Sequence, residues 1–323
     1  MNYNVVGKYI KNLVFKNVVL YGVEHSPWVQ GVQLALEHHH INVQLTSYPL
    51  SLNWLWNKGP VFPALQLWDG TRYVDSFSMY QLLHNEGYLL GMTSIQDFRK
   101  EQFEMEKLFT YYALGRCSFG KKWAFIQAWS TMREVPYSIR GVFFRAFLSL
   151  YFWILIHLGR LFVSQKKGRD PYNITAIERL LEDWERRLDR QNWFTGDGSE
   201  IGYLDFAFFG HMQCMTSGLT DELLPLLKKQ KNLTSWLHRI QKRYPDYSPM
   251  YVNRIDNHNI EIDQSTKGER IVFWISFAIW IICWPITVFI LFICLVKRFR
   301  NPAHSGAIVK DYRRNNNIRS SVK

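Results

Sequence analysis

A serine hydroxyl stands where the chain passes from a strand pattern to a helix pattern. Val18 to Tyr21 read as a short buried strand, and Ser26 directly precedes Pro27, a residue suited to the first helical position. Such a hydroxyl either caps the helix or is aimed at a ligand group such as a thiol. The residues around it leave both interpretations open.

Three consecutive histidines, His38 to His40, follow Glu37 at the end of the same helix pattern and raise the question of a metal site. Consecutive side chains point around a helix and do not converge on one point. The imidazoles also suit the negative end of the helix dipole. The run is therefore interpreted as a solvated helix end, and no metal site is predicted.

The four cysteines of the chain form no CxxC motif and show no even spacing; they are Cys117, Cys214, Cys283 and Cys294. This usage predicts no disulfide framework and favours a reducing compartment. The first residues contain no long apolar run, so a cleaved signal peptide is not expected.

Positive charge is concentrated in two segments. The chain has 39 Lys and Arg against 27 Asp and Glu, a net charge of +12. Residues 116–169 hold ten basic side chains and one acidic one, and residues 297–323 hold eight and one. No nucleic-acid-binding motif accompanies them, so this partner is not predicted. The pattern favours anionic membrane lipids instead.

A membrane anchor is predicted near the C-terminus. Residues 271–296 include no charged side chain, and about 20 such residues suffice to cross a bilayer. The positive-inside rule places the basic tail in the cytoplasm, whereas the missing signal peptide places the preceding domains there. The second indication is preferred, so the expected protein is single-pass with its main domains facing the cytoplasm.

A second apolar run, residues 141–162, is interrupted by Arg145, His157 and Arg160. Arg145 and Arg160 fall on a narrow polar stripe opposite a broad apolar face. This pattern favours a helix in the membrane interface or over a hydrophobic groove, and a core helix or a second span remain alternatives.

The elements that position these residues follow a β-α-β order, then a β-hairpin, then a helix. Ala64–Trp68 and Arg72–Val74 flank Asp69-Gly70, a strong hairpin signal. Most of the remaining chain before residue 253 has helical patterns: 101–114, a one-face apolar stripe from Ile177 to Leu188, 205–215 and 233–240.

Four segments resemble the glutathione transferase superfamily. "YGVEHSPWVQGVQLALE" is similar to its first strand, active-site turn and first helix, and "GPVFPALQLWDG" to the segment with a cis-proline, which makes Pro63 that proline. "VDSFSMYQLL" is similar to the acidic-Ser pair that opens the last helix of the first domain, here Asp75 and Ser76. "NWFTGDGSEIGYLDFAFFGHM" resembles the segment that opens the buried helix of the second domain, with Asp205 in place of its Asp and Gly202 where Ser or Thr is usual.

The resemblance covers roughly residues 18–87 and 172–246, and some features are similar to failed-axon-connections and metaxin relatives. It implies an α/β thioredoxin-like domain followed by an all-α glutathione transferase C-terminal domain, here with a single C-terminal transmembrane helix. The expected division is 1–90, the thioredoxin-like glutathione-binding domain; 91–252, the all-α domain with the basic and aromatic insertion 116–169; 253–270, a linker; 271–296, the span; and 297–323, the basic tail.

The resemblance also implies a glutathione site. Asp75 and Ser76 would hold the γ-glutamyl end at a helix N-terminus, although they can also simply cap that helix. The backbone of Phe62 beside Pro63 would hold the cysteinyl part, and Lys58 is a candidate for the glycyl carboxylate. Ser26 occupies the place of the catalytic Ser or Cys, with Tyr21 as the alternative donor.

The predicted function is therefore that of a membrane-anchored glutathione transferase-like enzyme. Glutathione would be its co-substrate, conjugated to a hydrophobic electrophile or used to reduce a lipid-derived one, and serine at position 26 disfavours thiol–disulfide exchange. Membrane lipids are the expected partner surface, and the family suggests a homodimer. The alternative is a non-catalytic binding module that keeps the fold and uses the anchor to position a partner.

Overall fold

The computed structural model describes a defined set of residues. These are residue 15, residues 17–22, 26–46, 63–89, 95–109, 173–195, 198–216 and 223–247, and ten single positions between 271 and 293.

The described elements form a four-stranded sheet and seven helices. The strands are β1 (Val18–Tyr21), β2 (Val43–Thr46), β3 (Ala64–Gln66) and β4 (Arg72–Val74). The helices are α1 (Pro27–His38), α2 (Ser76–Asn85), α3 (Ile95–Phe109), α4 (Ile174–Arg187), α5 (Tyr203–Thr216), α6 (Leu224–Lys228) and α7 (Lys231–Arg243). The sheet order is β2-β1-β3-β4, with β1 parallel to β2 and antiparallel to β3. This order confirms the predicted thioredoxin-like half followed by a helical half.

The β3–β4 hairpin forms where Asp69-Gly70 predicts it. Gly70 has a φ of +81°, a conformation that glycine adopts without steric cost. Asp69 Oδ1 accepts a hydrogen bond of 2.9 Å from the Thr71 backbone N–H, and Leu67 N–H donates to Thr71 C=O at 2.9 Å. The turn therefore closes locally and returns β4 in register beside β3.

One face of the sheet packs against α1. Val18 and Leu20 are 1% and 0% exposed, and Leu20 pairs with the equally buried Leu65 on β3. They share a core with Val29 and Val32 of α1. Since side chains alternate along a strand, the intervening positions of β1 point to the opposite face.

Helix α3 begins earlier than predicted. The sequence pattern suggested a start at Glu101, whereas the structure starts the helix at Ile95 and describes it as far as Phe109. Phe98 and Met105 are fully buried and lie seven residues apart, on one face. The prediction missed the first turn because polar residues surround Phe98 and hide the stripe.

The buried helix α5 is held at its start by Asp205, whose carboxylate is completely buried. Oδ1 accepts from Phe194 N–H and Trp236 Nε1–H, both at 2.9 Å, and Oδ2 accepts from Gly202 N–H and Thr195 Oγ1–H, both at 3.0 Å. A Cβ at Gly202 would lie 2.4 Å from Thr195 Cγ2, so no side chain fits there. Thr195 therefore occupies the space that a Ser or Thr side chain at position 202 would need, while the Gly202 N–H still donates to Asp205 as in a capping box.

Helices α1 and α5 touch through their backbones. A Cβ at Gly210 would lie 1.9 Å from the Pro27 carbonyl oxygen, and a Cβ at Gly31 would lie 2.6 Å from that of Phe206. Each glycine is therefore required by the approach of the other helix. The sheet and the helical half are joined directly at this contact.

Several predicted segments lie outside the described residues: the insertion 116–169 with its apolar run 141–162, the linker, the basic tail, and most of 271–296. Among the positions that are described, no helix has the length and apolar character needed to cross a bilayer.

Candidate functional site

Three strand ends meet at one edge of the sheet. Tyr21, the last residue of β1, pairs with Ala64, the first of β3, and Ala64 pairs with Val74, the last of β4. Because neighbouring strands lie about 4.8 Å apart, the ends of β1 and β4 are separated by about 10 Å. The segments that lead to Ser26 and to Asp75 therefore leave the sheet at the same edge.

Pro63 and Asp75 are joined across this edge. The Asp75 N–H donates to the Pro63 carbonyl at 2.9 Å, and Asp75 Oδ1 accepts from the Ser78 N–H at 2.8 Å. Asp75 has φ 76° and ψ 152°, a backbone conformation that costs a non-glycine residue about 1–3 kcal/mol. Two hydrogen bonds thus hold a strained aspartate at the start of α2, where it does cap the helix as the simpler interpretation predicted.

Ser76 contacts a residue that the sequence did not indicate. It is 3% exposed, and its Oγ accepts a hydrogen bond of 3.1 Å from Gln102 Nε2 of α3. One turn earlier on α3, the Arg99 guanidinium lies 4.6 Å from the Phe77 ring centre. The spacing of three residues between Arg99 and Gln102 put both on one face of a helix, but only the fold directs that face to α2.

The surroundings of Asp75 compensate only part of the cost of burying its negative charge. Burial raises its pKa, while hydrogen bonds from Ser78 and the charge of Arg99 act in the opposite direction and offset only part of that rise. A cationic group beside the carboxylate would therefore be favourable.

Ser26 is the N-cap residue of α1 by its backbone, with φ −77° and ψ 128°. Its carbonyl accepts the first helical hydrogen bond, from the Gln30 N–H at 2.9 Å. The hydroxyl is fully buried and, among the residues that the structure describes, makes no capping bond and no other hydrogen bond. Capping, the simpler of the two interpretations, therefore leaves this oxygen unexplained.

Tyr21 is engaged elsewhere on the sheet. It alternates with Leu20, so its side chain lies on the face opposite the α1 core. Its hydroxyl donates to Gln66 Oε1 at 3.4 Å, and the same oxygen accepts from Arg72 Nε at 2.7 Å. The other two predicted ligand residues, Phe62 and Lys58, lie outside the described part of the chain.

Only His40 of the histidine run is exposed, as the sequence pattern predicts for a solvated helix end; His38 and His39 are half-buried. His38 packs 5.3 Å from the Phe206 ring centre, and a hydrogen bond of 2.5 Å joins its Nδ1 to Tyr244 Oη. Burial lowers the pKa of both His38 and His39 to about 4. The prediction missed the end of α7, which covers this turn and is more than 200 residues away in the chain.

Comparisons with known proteins return structural similarity only. No family model matches the chain, and no curated protein matches it. A glutathione S-transferase from Methylobacterium radiotolerans in complex with glutathione sulfonate is 15% identical, with a TM-score of 0.44 over 78% of this chain and 100% of its own.

A glutathione transferase homologue from Drosophila mojavensis with bound glutathione is 17% identical, with a TM-score of 0.44 over 74% of this chain and 94% of its own. A family member from Pseudomonas fluorescens with two bound glutathione molecules is 14% identical, with a TM-score of 0.44 over 74% of this chain and 92% of its own. Similarity at these levels concerns the fold alone.

Proposed function

We propose that this chain is a membrane-anchored glutathione transferase-like protein that uses the sheet edge described above to bind glutathione. The bound thiol, as thiolate, attacks a hydrophobic electrophile, forms a carbon–sulfur bond and releases the leaving group. With a hydroperoxide, two glutathione molecules are instead oxidised to the disulfide as the peroxide becomes an alcohol and water. The observation that carries the proposal is the hydrogen bond that joins Pro63 to Asp75, next to Ser76, at the edge of the sheet where β1 also ends before Ser26.

The dimensions of this edge suit a tripeptide. The separation of about 10 Å between the ends of β1 and β4 matches three extended residues at about 3.3 Å each. Glutathione would lie along the edge, with its γ-glutamyl end at α2 and its thiol at α1. The backbone of Phe62, ahead of Pro63, remains the proposed partner of the cysteinyl part, and Lys58 that of the glycyl carboxylate.

The γ-glutamyl end requires an anion site and a partner for an ammonium group. The N-terminus of α2 supplies a favourable dipole for the carboxylate. Ser76 and its neighbour Gln102 add polar side chains, and the under-stabilised Asp75 suits the ammonium. The strain at Asp75 is further support, since such conformations cluster at binding sites.

The thiol end requires stabilisation of the thiolate. A free thiol has a pKa near 8.5, so only a few per cent is ionised at pH 7. A donor hydroxyl at a helix N-terminus lowers that value, and each pKa unit corresponds to about 1.4 kcal/mol. The Ser26 hydroxyl has no protein partner and stands at the start of the 12-residue helix α1, which supports this role. Tyr21 is the second candidate, although its hydroxyl already contacts Gln66.

The membrane part of the proposal rests on the apolar composition of residues 271–296 and on exposed side chains within it. Seven of the large apolar residues described there are helical and 42–79% exposed: Ile271, Trp274, Ile275, Ile279, Ile282, Ile286 and Phe289. An exposed apolar face of this kind is costly in water and favourable in lipid. Cytoplasm-facing main domains, a hydrophobic or lipid-derived substrate and a homodimer complete the proposal.

A non-catalytic binding module is the second candidate, and one observation favours it. The Ser26 hydroxyl is completely buried, whereas a catalytic donor has to contact the bound thiol. The same fold and anchor would then serve to hold a partner at a membrane.

Calorimetric titration of the full chain in mild detergent with glutathione tests the proposal, together with a thiol-conjugation assay using an aryl halide. We expect binding that Asp75→Asn and Ser76→Ala each weaken about tenfold or more. Asp69→Asn, which alters an equivalent carboxylate–backbone bond at the other end of the same hairpin, is the matched control.

The outcomes separate the candidates. Binding together with conjugation that Ser26→Ala reduces supports the enzyme. Binding without conjugation supports the module. A folded protein that neither binds glutathione nor conjugates it excludes the enzyme and leaves the module.

A further inference from the structure

Residues 244–247, here called the strap, directly follow α7 and are fastened to α1 by two tyrosines. At the end of α1, a hydrogen bond of 2.5 Å joins Tyr244 Oη to His38 Nδ1. About two turns nearer the start of α1, the Tyr247 hydroxyl donates to the Gln30 carbonyl at 3.1 Å and to Gln30 Oε1 at 2.7 Å. The two contacts hold the strap along α1.

The contact made by Tyr247 lies inside the protein and consists of neutral groups. Tyr247 is 2% exposed and Gln30 is fully buried, and the Tyr247 ring packs edge-on against Phe209 of α5 at 5.7 Å between centres. An amide and a hydroxyl neither gain nor lose a proton between pH 7 and pH 5. This half of the attachment is therefore insensitive to mild acid.

The contact made by Tyr244 contains a titratable group, His38. The His38 ring is half-buried, with its centre 5.3 Å from that of Phe206, 4.6 Å from that of His39 and 6.0 Å from that of Tyr244. Burial lowers the pKa of His38 to about 4, and the neighbouring positive charges act in the same direction. At pH 7 the imidazole is therefore neutral and shares a hydrogen bond with the Tyr244 hydroxyl, which is both a donor and an acceptor.

The charged groups around His38 act in two directions. Its positive neighbours oppose its protonation, and they are His39, His40 and Arg243. Glu37 acts the other way: burial, together with the charge of Asp246 in the strap, raises the pKa of its carboxyl, so Glu37 favours the closed strap as pH falls. Tyr244 stays neutral because burial raises its pKa to about 12, and Asp205 of α5 acts on it in the same direction.

We propose that the strap is an acid-sensitive latch: when His38 takes up a proton, the strap leaves the end of α1. An imidazolium is unfavourable where it is half-buried beside Arg243, and release of the strap returns it to water. The proton comes from solvent, and no covalent bond changes. Residues 253–270 and 271–296 follow the strap in the sequence, so with the proposed anchoring an open latch lengthens the connection between the folded unit and the membrane. The latch itself does not depend on that anchoring.

The size of the effect follows from the pKa of His38 in the open and closed states. The released ring has the ordinary pKa of 6.5, and the latched ring has a pKa of about 4. The closed state is therefore fully favoured above pH 6.5 and loses that advantage as pH falls towards 4. Between pH 7 and pH 5 the equilibrium constant for opening rises about 20-fold, because the open state takes up a proton that the closed state does not.

Hydrogen–deuterium exchange of the full chain in mild detergent, followed by mass spectrometry at pH 7, 6 and 5, tests the latch. The protection factor of the peptide that contains the strap, taken relative to the unstructured rate at each pH, is expected to fall about 20-fold from pH 7 to pH 5. The α4 peptide, Ile174–Arg187, reports opening of the whole protein and should keep more of its protection. His38→Asn places an amide near the position of Nδ1 and does not titrate, so it should abolish the fall. His40→Asn changes the exposed neighbour and should retain it.

Two further variants keep the test decisive if His38→Asn fails to fold. Tyr247→Phe breaks the neutral contact, so it should lower strap protection by a similar factor at every pH and leave the pH dependence unchanged. Arg243→Gln, at an exposed position, removes a charge that opposes protonation of His38 and should make the fall shallower. Strap protection that stays constant from pH 7 to pH 5 would overturn the latch, as would the same fall in His38→Asn or an equal fall in the α4 peptide. Protection that rises in acid would show that Glu37 dominates and would overturn it as well.

Discussion

Replacing Asp205 by asparagine is expected to destabilise the protein by about 3 kcal/mol or more. The carboxylate accepts four hydrogen bonds, two on each oxygen, and none of it reaches solvent. Asparagine turns one acceptor oxygen into an NH₂ group that faces two donors, so two bonds are lost. Hydrogen bonds to a charged group contribute about 1.5–3 kcal/mol each, which gives about 3–6 kcal/mol before the lower cost of burying an amide is subtracted.

Urea unfolding of the full chain in mild detergent, followed by tryptophan fluorescence, measures this change. Asp189→Asn is the matched control, because Asp189 also accepts a side-chain hydrogen bond, from Asn232 Nδ2 at 3.0 Å, but is exposed. It should alter the free energy of unfolding by no more than about 0.5 kcal/mol. Trp236→Phe removes one donor, and its effect should differ between the wild-type and Asp205→Asn backgrounds. A loss below about 1 kcal/mol for Asp205→Asn would refute the account of how α5 is held.

Three further changes test the packing and charge of the core. Gly210→Ala should destabilise the protein by several kcal/mol or prevent folding, because its Cβ would lie 1.9 Å from the Pro27 carbonyl oxygen. Gly70→Ala is the control: its Cβ meets open space, so only the strain of a positive φ should be lost from stability. Comparing the unfolding midpoints of the two variants tests this difference. Tyr80→Phe should leave the free energy of unfolding unchanged or raise it by about 1 kcal/mol, since the hydroxyl is buried and has no partner among the described residues. A lower unfolding midpoint for this variant would show that the hydroxyl does have a partner. Burial lowers the pKa of His211 from 6.5 in the unfolded chain to about 3 in the folded protein. The free energy of unfolding should therefore fall by about 1.4 kcal/mol for each pH unit below 6.5, because the unfolded chain takes up a proton that the folded protein does not. Measured from pH 7 to 4, the free energy of unfolding should depend less on pH in His211→Phe.

The sequence predicted the parts of the fold that depend on local signals. The Asp69-Gly70 turn lies between two short strands, and the one-face stripe through Ile177 and Trp184 becomes the buried side of α4. Turn chemistry and apolar periodicity act within a few residues, so they can be read without the rest of the chain. The start of α3 was missed for the same reason, because the residues around Phe98 in its first two turns are mostly polar or charged.

Only those residues of the candidate site that lie within recognisable sequence motifs were predicted. Ser26, Pro63, Asp75 and Ser76 were indicated by their segments, and the structure joins Pro63 to Asp75 by a hydrogen bond. Gln102, the partner of Ser76, was not indicated, since it comes from another helix whose facing side is decided by packing. Likewise, the environment of His38 depends on α7, so a run that looked solvated is partly covered by aromatic rings.

The direct contact of Gly31 and Gly210 also bears on how the molecule moves and how it can be divided. Two helices whose backbones touch have no side-chain layer to shear, so α1 and α5 should open to solvent as one cooperative unit and show matched amide exchange rates. An excised thioredoxin-like half would leave the α1 surface at Pro27 and Gly31 uncovered in water. The boundary near residue 90 therefore divides the sequence into two halves but does not separate two independent folding units. The unit that folds is expected to include α5 together with the thioredoxin-like half.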